Sequence, residues 1–258
     1  MGIVNATPDS FFPSSRADSM PVAVETVRDM FRDGAAVVDI GGESTRPFSD
    51  PIEPGEELRR VLPIIERAAA YGRVSIDTRH ASVASEAVAA GATIINDISA
   101  SLDDVAAETG AAWIPCHMQG DPTTMQIDPN YGDVVDEVVE FLVDAADRGR
   151  RAGVEEIWID PGIGFGKTHE HNMALLANID RFVATGYPVL VGVSRKGFIG
   201  ALHARSDDVV SDGVERVSVD DRLEGSLALA TWCYSQGVDM VRVHDVAETV
   251  QATQVVGS

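Results

Sequence analysis

The sequence predicts a (β/α)8 barrel, a fold in which eight parallel strands are each followed by a helix. Two observations support this fold: short apolar segments alternate with helix-length amphipathic segments, and eight such units need about 250 residues. The chain has 258 residues, is 45% hydrophobic and contains no linker or repeat, so we expect one domain over residues 1–258. A doubly wound sheet is the alternative, but that fold usually has only about five or six strands.

The predicted strands are apolar runs of four or five residues. They are Gly2–Asn5, Ala36–Asp39, Val74–Asp77, Thr93–Asn96, Trp113–Cys116, Ile157–Asp160, Val189–Val193 and Met240–Val243. Amphipathic periodicity predicts helices near residues 21–33, 56–70, 81–90, 102–109, 133–152, 171–179, 222–236 and 246–254. Ser101 and Asp104 predict a capping box at the start of the fourth helix.

Charge and cysteine content argue against several classes of protein. The net charge of −21 disfavours binding to a nucleic-acid backbone, which requires a basic face. No apolar run approaches the roughly 18 residues of a membrane span, and the N-terminus lacks a secretory signal pattern. Cys116 and Cys233 match no metal-binding spacing. We therefore expect a cytoplasmic protein with no nucleic-acid or membrane partner.

Residues 160–168 form a glycine-rich stretch that begins at the last residue of the sixth predicted strand. The stretch places a carboxylate and a cation beside backbone N–H groups, which can approach a phosphate closely where glycine has no Cβ. A P-loop is excluded because it needs glycine at the position of Pro161, and the glycine spacing does not fit a dinucleotide fingerprint. The alternative interpretation is a tight loop between a strand and a helix.

The chain contains only two lysines, Lys167 and Lys196. Both follow predicted strands and lie in glycine-containing loops, whereas arginine is the cation elsewhere. A flexible point charge in such a loop suits a phosphate or a ring heteroatom.

Polar residues stand at or just beyond the carboxyl ends of all eight predicted strands. They include Asn5, Asp39, Asp77, Asn96, His117, Asp160, Lys196, Arg242 and His244. Each alone can be explained as a helix cap, a turn residue or a structural histidine. A barrel brings the carboxyl ends of its strands to one face, so eight such endings together favour an active site there.

The cationic residues of this set suit an anion with several oxygens, such as a pyrophosphate. They are Arg46, the stretch Gly162–Lys167, Arg195, Lys196, Arg242 and His244. Asn5 could supply a neutral oxygen ligand to an accompanying magnesium ion. The pattern therefore predicts an anion site at the mouth of the barrel.

Asp77, Asn96 and Asp160 suit a different part of a ligand. Their oxygens can accept hydrogen bonds from the ring N–H and amino groups of a guanidine-like heterocycle. We expect displacement of diphosphate from a heterocyclic methylene carbon, without a covalent enzyme intermediate. Cys116 and His117 are neighbours on one strand and should point to opposite faces, so they form no nucleophile–base pair.

Several motifs, spread almost end to end, resemble the dihydropteroate synthases. They are Met1–Phe11, Gly41–Pro47, Ser75–Thr78, Asn96–Ile98, His117–Met118, Thr124–Gln126, Asp160–Thr168, Ser194–Lys196, Phe198–Gly200 and Arg242–Asp245. The resemblance implies a (β/α)8 enzyme of folate synthesis. Such enzymes join 6-hydroxymethyl-7,8-dihydropterin diphosphate to 4-aminobenzoate with the help of magnesium, release diphosphate, and are expected to be homodimers.

Carried over residue by residue, the resemblance implies three groups of site residues. Asp77, Asn96, Asp160 and Lys196 would hold the pterin, with Met118 beside it; Asn5, Arg242 and His244 would face the diphosphate and magnesium; Thr45, Arg46, Pro47 and Phe165 would build the aminobenzoate site. The aryl amine would attack the pterin methylene as diphosphate departs, so catalysis would depend on positioning and charge stabilisation. The resemblance assigns the catalytic part to Asp160, Lys196 and Arg242, with Asp9 as a candidate acid.

Two positions depart from the family pattern. Pro13 stands where the first loop of the family commonly has an acid, so either Asp9 or Asp18 replaces it or the step is handled differently. Gly197 stands where many members have a serine that meets the aminobenzoate carboxylate. These departures leave a non-catalytic pterin-binding paralogue as one alternative. A pterin-dependent methyltransferase relative is another, although it would not need the Gly41–Pro47 motif.

Overall fold

The computed structural model describes residues 1–6, 19–44, 50–206 and 217–257, and these residues contain seven parallel strands and ten helices. The strands are β1 (Gly2–Asn5), β2 (Val37–Gly41), β3 (Arg73–Asp77), β4 (Ile94–Asp97), β5 (Ala112–Pro115), β6 (Leu190–Gly192) and β7 (Met240–Arg242). The helices are α1 (Ser19–Arg32), α2 (Pro54–Ala68), α3 (Ala81–Ala89), α4 (Asp103–Thr109), α5 (Val134–Ala152), α6 (His169–Ala177), α7 (Ile179–Val183), α8 (Gly197–Ser206), α9 (Leu223–Ser235) and α10 (Val246–Val256).

The strands close into a barrel. Strands β1 to β5 form one sheet in chain order, and β6 pairs with β7. Residues 157–160 join the two sheets through isolated parallel bridges, to β5 on one side and to Val189 on the other. A further bridge between Gly2 and Val243 closes the circle. The predicted (β/α)8 barrel is therefore confirmed, with eight extended segments in sequence order around it.

The sixth predicted strand consists of bridges instead of a continuous strand. The N–H of Asp160 donates to the carbonyl of Pro115 (3.1 Å), and the N–H of Ile159 donates to the carbonyl of Pro188 (2.9 Å). Pro161 follows the segment and Pro188 opens the neighbouring one, and neither has an N–H group with which to extend the ladder. The segment still occupies the sixth position of the barrel.

Two helices were absent from the prediction based on periodicity. Helix α8 begins at a glycine, and its buried Phe198 and Ile199 are adjacent in sequence, so they give no helical period. Helix α7 is only five residues long and directly follows α6, which ends two residues before the predicted boundary at 179. Short helices of this kind carry little amphipathic signal.

The start of α4 differs from the predicted capping box. Its N-cap is Leu102, which makes no side-chain cap bond. The carboxylate of Asp97 accepts instead from the backbone N–H groups of Ser101 and Leu102, both at 2.8 Å. It also accepts from the indole of Trp113 (3.1 Å) and from Ser99. Asp97 therefore fixes the loop after β4 from outside the barrel.

Apolar side chains fill two regions on the two sides of the strands. The barrel interior at the amino ends of the strands holds a cluster of Met1, Val37, Ile94, Ala112, Ile114 and Leu190. A larger cluster lies between strands and helices and includes Val38, Ile40, Ile76, Ile95, Trp113 and Leu142. Since the bottom of the interior is apolar, the inward polar residues are left to the carboxyl ends of the strands. Among the described residues, no helix has the length and apolarity needed to cross a membrane.

Candidate functional site

One cavity opens at the carboxyl ends of the strands. It encloses roughly 360 Å³ of space that no atom fills, part of it open to solvent. It is lined by Asp77, Asn96, Ile98, Cys116, Asp160, Ile163, Phe165, Gly192, Lys196 and Arg242. Six of the residues selected from the sequence therefore meet around the same space: Asp77, Asn96, Asp160, Phe165, Lys196 and Arg242.

Strand periodicity explains why these residues meet. Successive side chains of a strand point to opposite faces, so every second residue points into the barrel. Cys116 lines the cavity, whereas the ring of its neighbour His117 packs edge-on against Phe141 at a centroid distance of 4.9 Å. The prediction that these two residues face opposite sides is confirmed. Burial raises the pKa of the Cys116 thiol well above its usual value, so the thiol is a poor nucleophile.

Arg242 is held between two carboxylates inside the barrel. Its Nε donates to Oδ2 of Asp39 at 2.6 Å, and its Nη2 donates to Oδ2 of Asp77 at 2.7 Å. Asp39 is fully buried and also accepts from Nδ2 of Asn96 at 2.9 Å. The sequence singled out Asp39 only as a polar strand ending, although its inward position, two residues before Gly41, places it directly beneath the cavity.

Burial and neighbouring charges shift the pKa values of Asp77, Asp160 and Arg242. It raises the pKa of Asp77, even though Arg242 opposes the shift, and the nearby carboxylate of Asp39 adds to it. Burial likewise raises the pKa of Asp160, against the hydrogen bond from the N–H of Gly162. The desolvation of Arg242 is outweighed by Asp39 and Asp77, so its pKa is raised. Buried carboxyls beside a buried cation are typical of functional sites.

Lys196 lies against the ring of Phe165. Its Nζ is 4.1 Å from the ring centroid, within the range of a cation–π contact. Burial lowers the pKa of this ammonium, while the carboxylate of Asp160 opposes the shift. The two side chains together form one wall of the cavity.

Three backbone N–H groups of the 160–168 stretch donate hydrogen bonds to atoms of the stretch itself or of the helix that follows it. The N–H of Gly162 donates to Asp160 Oδ1 (2.8 Å), that of Gly164 to Asn172 Oδ1 (2.6 Å), and that of Phe165 to the carbonyl of Gly162 (3.0 Å). A Cβ on residue 162 would lie 1.8 Å from the carbonyl oxygen of the facing strand, so only glycine fits there. The prediction that these three N–H groups are open to a phosphate is wrong, and the tight-loop interpretation fits.

Lys167 is also placed differently from the prediction. Only 2% of the residue is exposed, and its ammonium lies among Nδ1 of His117 (2.9 Å) and the carbonyls of Gly162 (3.0 Å) and Phe165 (2.9 Å). Burial lowers the pKa of this lysine to about 7. Lys167 therefore stabilises the loop by donating hydrogen bonds to its carbonyls, and it does not line the cavity.

Two further residues of the predicted cationic set do not supply a free positive charge. Arg195 donates from Nε (3.1 Å) and Nη2 (2.6 Å) to the carboxylate of Asp245. Burial, together with Arg242 and Arg195, lowers the pKa of His244 to about 4, so its ring is neutral at neutral pH. Its Nδ1 lies 2.9 Å from the hydroxyl of Ser194. The cationic part of the described site thus reduces to Lys196 and Arg242.

The remaining predicted residues fall into two groups. Asn5, Met118 and His244 are half-buried at the same end of the barrel but do not line the cavity. Asp9, Thr45, Arg46 and Pro47 lie outside the described residues. On either side of positions 45–49, Glu43 and Ile52 are joined by a hydrogen bond of 3.1 Å, and Arg79 binds Glu43 through two further bonds.

Comparisons with known proteins agree with this arrangement. Residues 1–244 match a family described as pterin binding enzyme. The dihydropteroate synthase of Escherichia coli K12 is 42% identical over 264 aligned residues, which cover 99% of this chain and 89% of the relative. A Xanthomonas albilineans dihydropteroate synthase solved with 4-aminobenzoic acid has a TM-score of 0.89 and 40% identity, covering 99% of this chain and 90% of that one.

A second structure from X. albilineans, in complex with 7,8-dihydropteroate, has a TM-score of 0.85 and 38% identity, covering 99% of this chain and 91% of that one. These relatives therefore share with this chain both the sequence, over nearly its whole length, and the barrel fold. The chain belongs to the dihydropteroate synthase family of pterin-binding enzymes.

Proposed function

We propose that the chain condenses 6-hydroxymethyl-7,8-dihydropterin diphosphate with 4-aminobenzoate to give 7,8-dihydropteroate and diphosphate. The observation that carries this proposal is a single cavity in which Asp77, Asn96 and Asp160 face Lys196 and Arg242. Family membership supports the same reaction, since relatives have been solved with 4-aminobenzoic acid and with 7,8-dihydropteroate. The activity is that of a transferase in folate biosynthesis.

The pterin ring is proposed to bind at the acidic side of the cavity. A pterin presents ring N–H and amino groups, and the oxygens of Asp77, Asn96 and Asp160 can accept hydrogen bonds from them. Bonds to an ionised carboxylate are about twice as strong as those between neutral groups. The ammonium of Lys196 can donate to a ring oxygen or nitrogen, and Met118 is proposed to cover the ring.

The leaving group is proposed to face Arg242. Nε and Nη2 of this residue are bound to carboxylates, and Nη1 has no hydrogen-bond partner among the described residues. As the amine nitrogen bonds to the pterin methylene carbon, the carbon–oxygen bond breaks and its electron pair leaves with the diphosphate. The nitrogen then releases a proton. A fixed cation near the departing oxygens lowers the barrier because no reorganisation is needed when charge develops.

Magnesium is proposed as the cofactor, with Asn5 as one ligand. Within the described residues no three His, Cys, Asp or Glu side chains are grouped so as to hold a metal ion. An amide oxygen such as that of Asn5 suits magnesium, which often binds through one or two protein oxygens together with substrate phosphates and water. Asn5 lies at the carboxyl end of β1 and offers an amide oxygen. Magnesium would neutralise charge on the diphosphate.

The aminobenzoate site is proposed to comprise Phe165 together with Thr45, Arg46 and Pro47. Asp9 is proposed to support positive charge on the methylene carbon, and His244 to face the diphosphate as a neutral ring. These roles rest on family membership and on the positions of the residues after strands.

Purified protein supplied with both substrates and magnesium should release 7,8-dihydropteroate and diphosphate in equal amounts. The matched control is the Lys196→Ala variant, which should release neither at a comparable rate. If no product forms while calorimetry still detects pterin binding, the chain is instead a non-catalytic pterin-binding paralogue. Methyl transfer from a pterin donor under the same conditions would favour the methyltransferase alternative.

Two further properties are proposed alongside the activity. A homodimer fits family membership and the exposed side chains of Trp232 and Tyr234 on α9 and Val256 on α10. Sedimentation at several protein concentrations tests the dimer. A cytoplasmic location fits Cys116 and Cys233, which are both buried and unpaired.

A further inference from the structure

Asp39 lies one layer below the residues that line the cavity and contacts two of them. Its Oδ2 accepts a hydrogen bond from Asn96 Nδ2 (2.9 Å) and another from Arg242 Nε (2.6 Å). The side chain is fully buried, so it cannot touch a ligand in the cavity. We propose that Asp39 is a positioning residue that fixes which atoms of Asn96 and Arg242 face the substrate.

The first effect concerns the amide of Asn96. An ionised carboxylate can only accept hydrogen bonds, so Asn96 must turn Nδ2 towards Asp39. Its Oδ1 is then the atom available to a ligand in the cavity. This polarity favours a ligand that presents an N–H donor at that point and disfavours one that presents an acceptor, because an unpaired buried acceptor is costly.

The second effect concerns the guanidinium of Arg242. Asp39 binds Nε and Asp77 binds Nη2, so the plane of the group is fixed at two points. The planar fork of arginine then directs Nη1 in one direction. A single carboxylate therefore orients both a group proposed for the pterin and a group proposed for the diphosphate.

This inference rests on the proposed function, but its test uses binding of the separate ligand parts and does not require turnover. Asp39→Asn keeps the shape of the side chain and removes its charge. We expect the dissociation constants of free 6-hydroxymethyl-7,8-dihydropterin and of inorganic diphosphate with magnesium each to rise at least fivefold, measured by calorimetry. Ser75→Ala is the matched control, since Ser75 lies beside Asp39 on β3, is equally buried and makes no side-chain hydrogen bond among the described residues.

A double-mutant cycle separates positioning from a general structural role. In an Asn96→Ala background, Asp39→Asn should change pterin affinity by less than twofold, because the amide that Asp39 orients is gone. The loss of diphosphate affinity should persist there, because it acts through Arg242. Equal losses of pterin affinity in both backgrounds would overturn the proposal, as would a wild-type affinity of the single variant.

A second variant covers the case in which Asp39→Asn does not fold. Asn96→Asp keeps an acceptor facing the cavity but places two carboxylates opposite each other where the structure has a 2.9 Å hydrogen bond. At pH 8 we expect at least a fivefold loss of pterin affinity, because the repulsion turns the side chain out of position. Unchanged affinity would contradict the proposal. Whether the wild-type protein forms product is a separate measurement, so failure of the proposed function is distinguishable from failure of this inference.

Discussion

The ammonium nitrogen of Lys167 lies 2.9 Å from Nδ1 of His117, on the side of the loop that faces away from the cavity. Burial lowers the pKa of His117 to about 3, and the charge of Lys167 adds to the shift, so the ring is neutral and can accept from the lysine. The same ammonium donates to the carbonyl of Phe165, whose ring contacts Lys196. A residue that does not line the cavity thus supports one wall of it.

Replacing Lys167 by Met should weaken that wall. The carbonyls of Gly162 and Phe165 would lose their buried donor, and each unsatisfied group costs about 1–3 kcal/mol. We expect the free energy of unfolding to fall by about 2–6 kcal/mol in urea titrations, and pterin affinity to fall with it. Arg151→Met on the exposed face of α5 is the control. Wild-type values for both quantities would contradict the supporting role.

The Lys196→Ala variant should use pterin diphosphate poorly. It loses the ammonium that lies 4.1 Å from the ring of Phe165 and faces the cavity. Loss of a fixed charge in such a site costs about 100-fold or more in rate. We expect a fall of that size in kcat/KM for pterin diphosphate from steady-state kinetics. A value near wild type would show that Lys196 does not act where it has been placed.

The Asp160→Asn variant should bind pterin more weakly. Removing the negative charge weakens charge-assisted bonds, which contribute about 1.5–3 kcal/mol each, and this corresponds to more than a tenfold rise in Kd. Calorimetry with free pterin gives this number directly. Asp136→Asn, at an exposed position on α5, is the matched control. Unchanged affinity in Asp160→Asn would refute its role in ring recognition.

The pH dependence of kcat/KM for pterin diphosphate should be bell-shaped and narrower than for unperturbed groups. Burial raises the pKa of Asp160, so the carboxylate needed for binding is lost at a higher pH on the acid side. Burial lowers the pKa of Lys196, so its charge is lost at a lower pH on the alkaline side. Because the buried groups interact, the apparent pKa of each limb belongs to the set of groups, which includes Asp77, and not to one residue alone.

Lys196→Arg tests the alkaline limb of that profile. An arginine keeps its charge throughout the accessible range, so the alkaline limb should move to higher pH by about one unit or more, even if the maximal rate falls. An alkaline limb at the same pH in this variant would assign it to another group.

Salt should stabilise the folded chain. The sequence contains 41 acidic residues against 20 lysines and arginines, and the resulting self-repulsion opposes the compact state. Because the screening length falls from about 10 Å at 0.1 M salt to about 3 Å at 1 M, we expect Tm to rise by several degrees over that range. Neutralising exposed acids, for example with Asp104→Asn and Glu108→Gln, should reduce the rise. If Tm fell as sodium chloride was added, repulsion between the acidic residues would not be what limits the stability of the folded chain.

The sequence predicted the barrel and the inward residues well because both follow from strand periodicity. Asp77, Asn96 and Arg242 occupy inward positions at strand ends, and a closed barrel brings such positions together. The partners of each side chain did not follow from spacing. Lys167 is close to the cavity in sequence but is turned behind the loop, and its direction depends on carbonyls that only the folded loop presents.

Asp39 is a second residue whose hydrogen-bond partners could not be predicted from the sequence. The sequence indicated only that it is a polar residue at the end of a predicted strand, and its bonds to Asn96 and Arg242 join strands that are far apart in sequence. The sixth strand was placed correctly, whereas its breakdown into bridges depends on the two prolines beside it. Strand periodicity shows which residues point to the same face of the barrel. It does not show which of them form hydrogen bonds with one another, and those pairs were visible only in the structure.

Closure of the barrel through Gly2 and Val243 has a consequence for synthesis of the chain. Strand β1 leaves the ribosome before the other strands, yet one of its edges gains its neighbour only after all of them have been made. During that time its N–H and C=O groups on that edge are exposed and can pair with another nascent chain. Slow translation should therefore favour aggregation, and a circular permutant that joins the end of α10 to the start of β1 should fold faster.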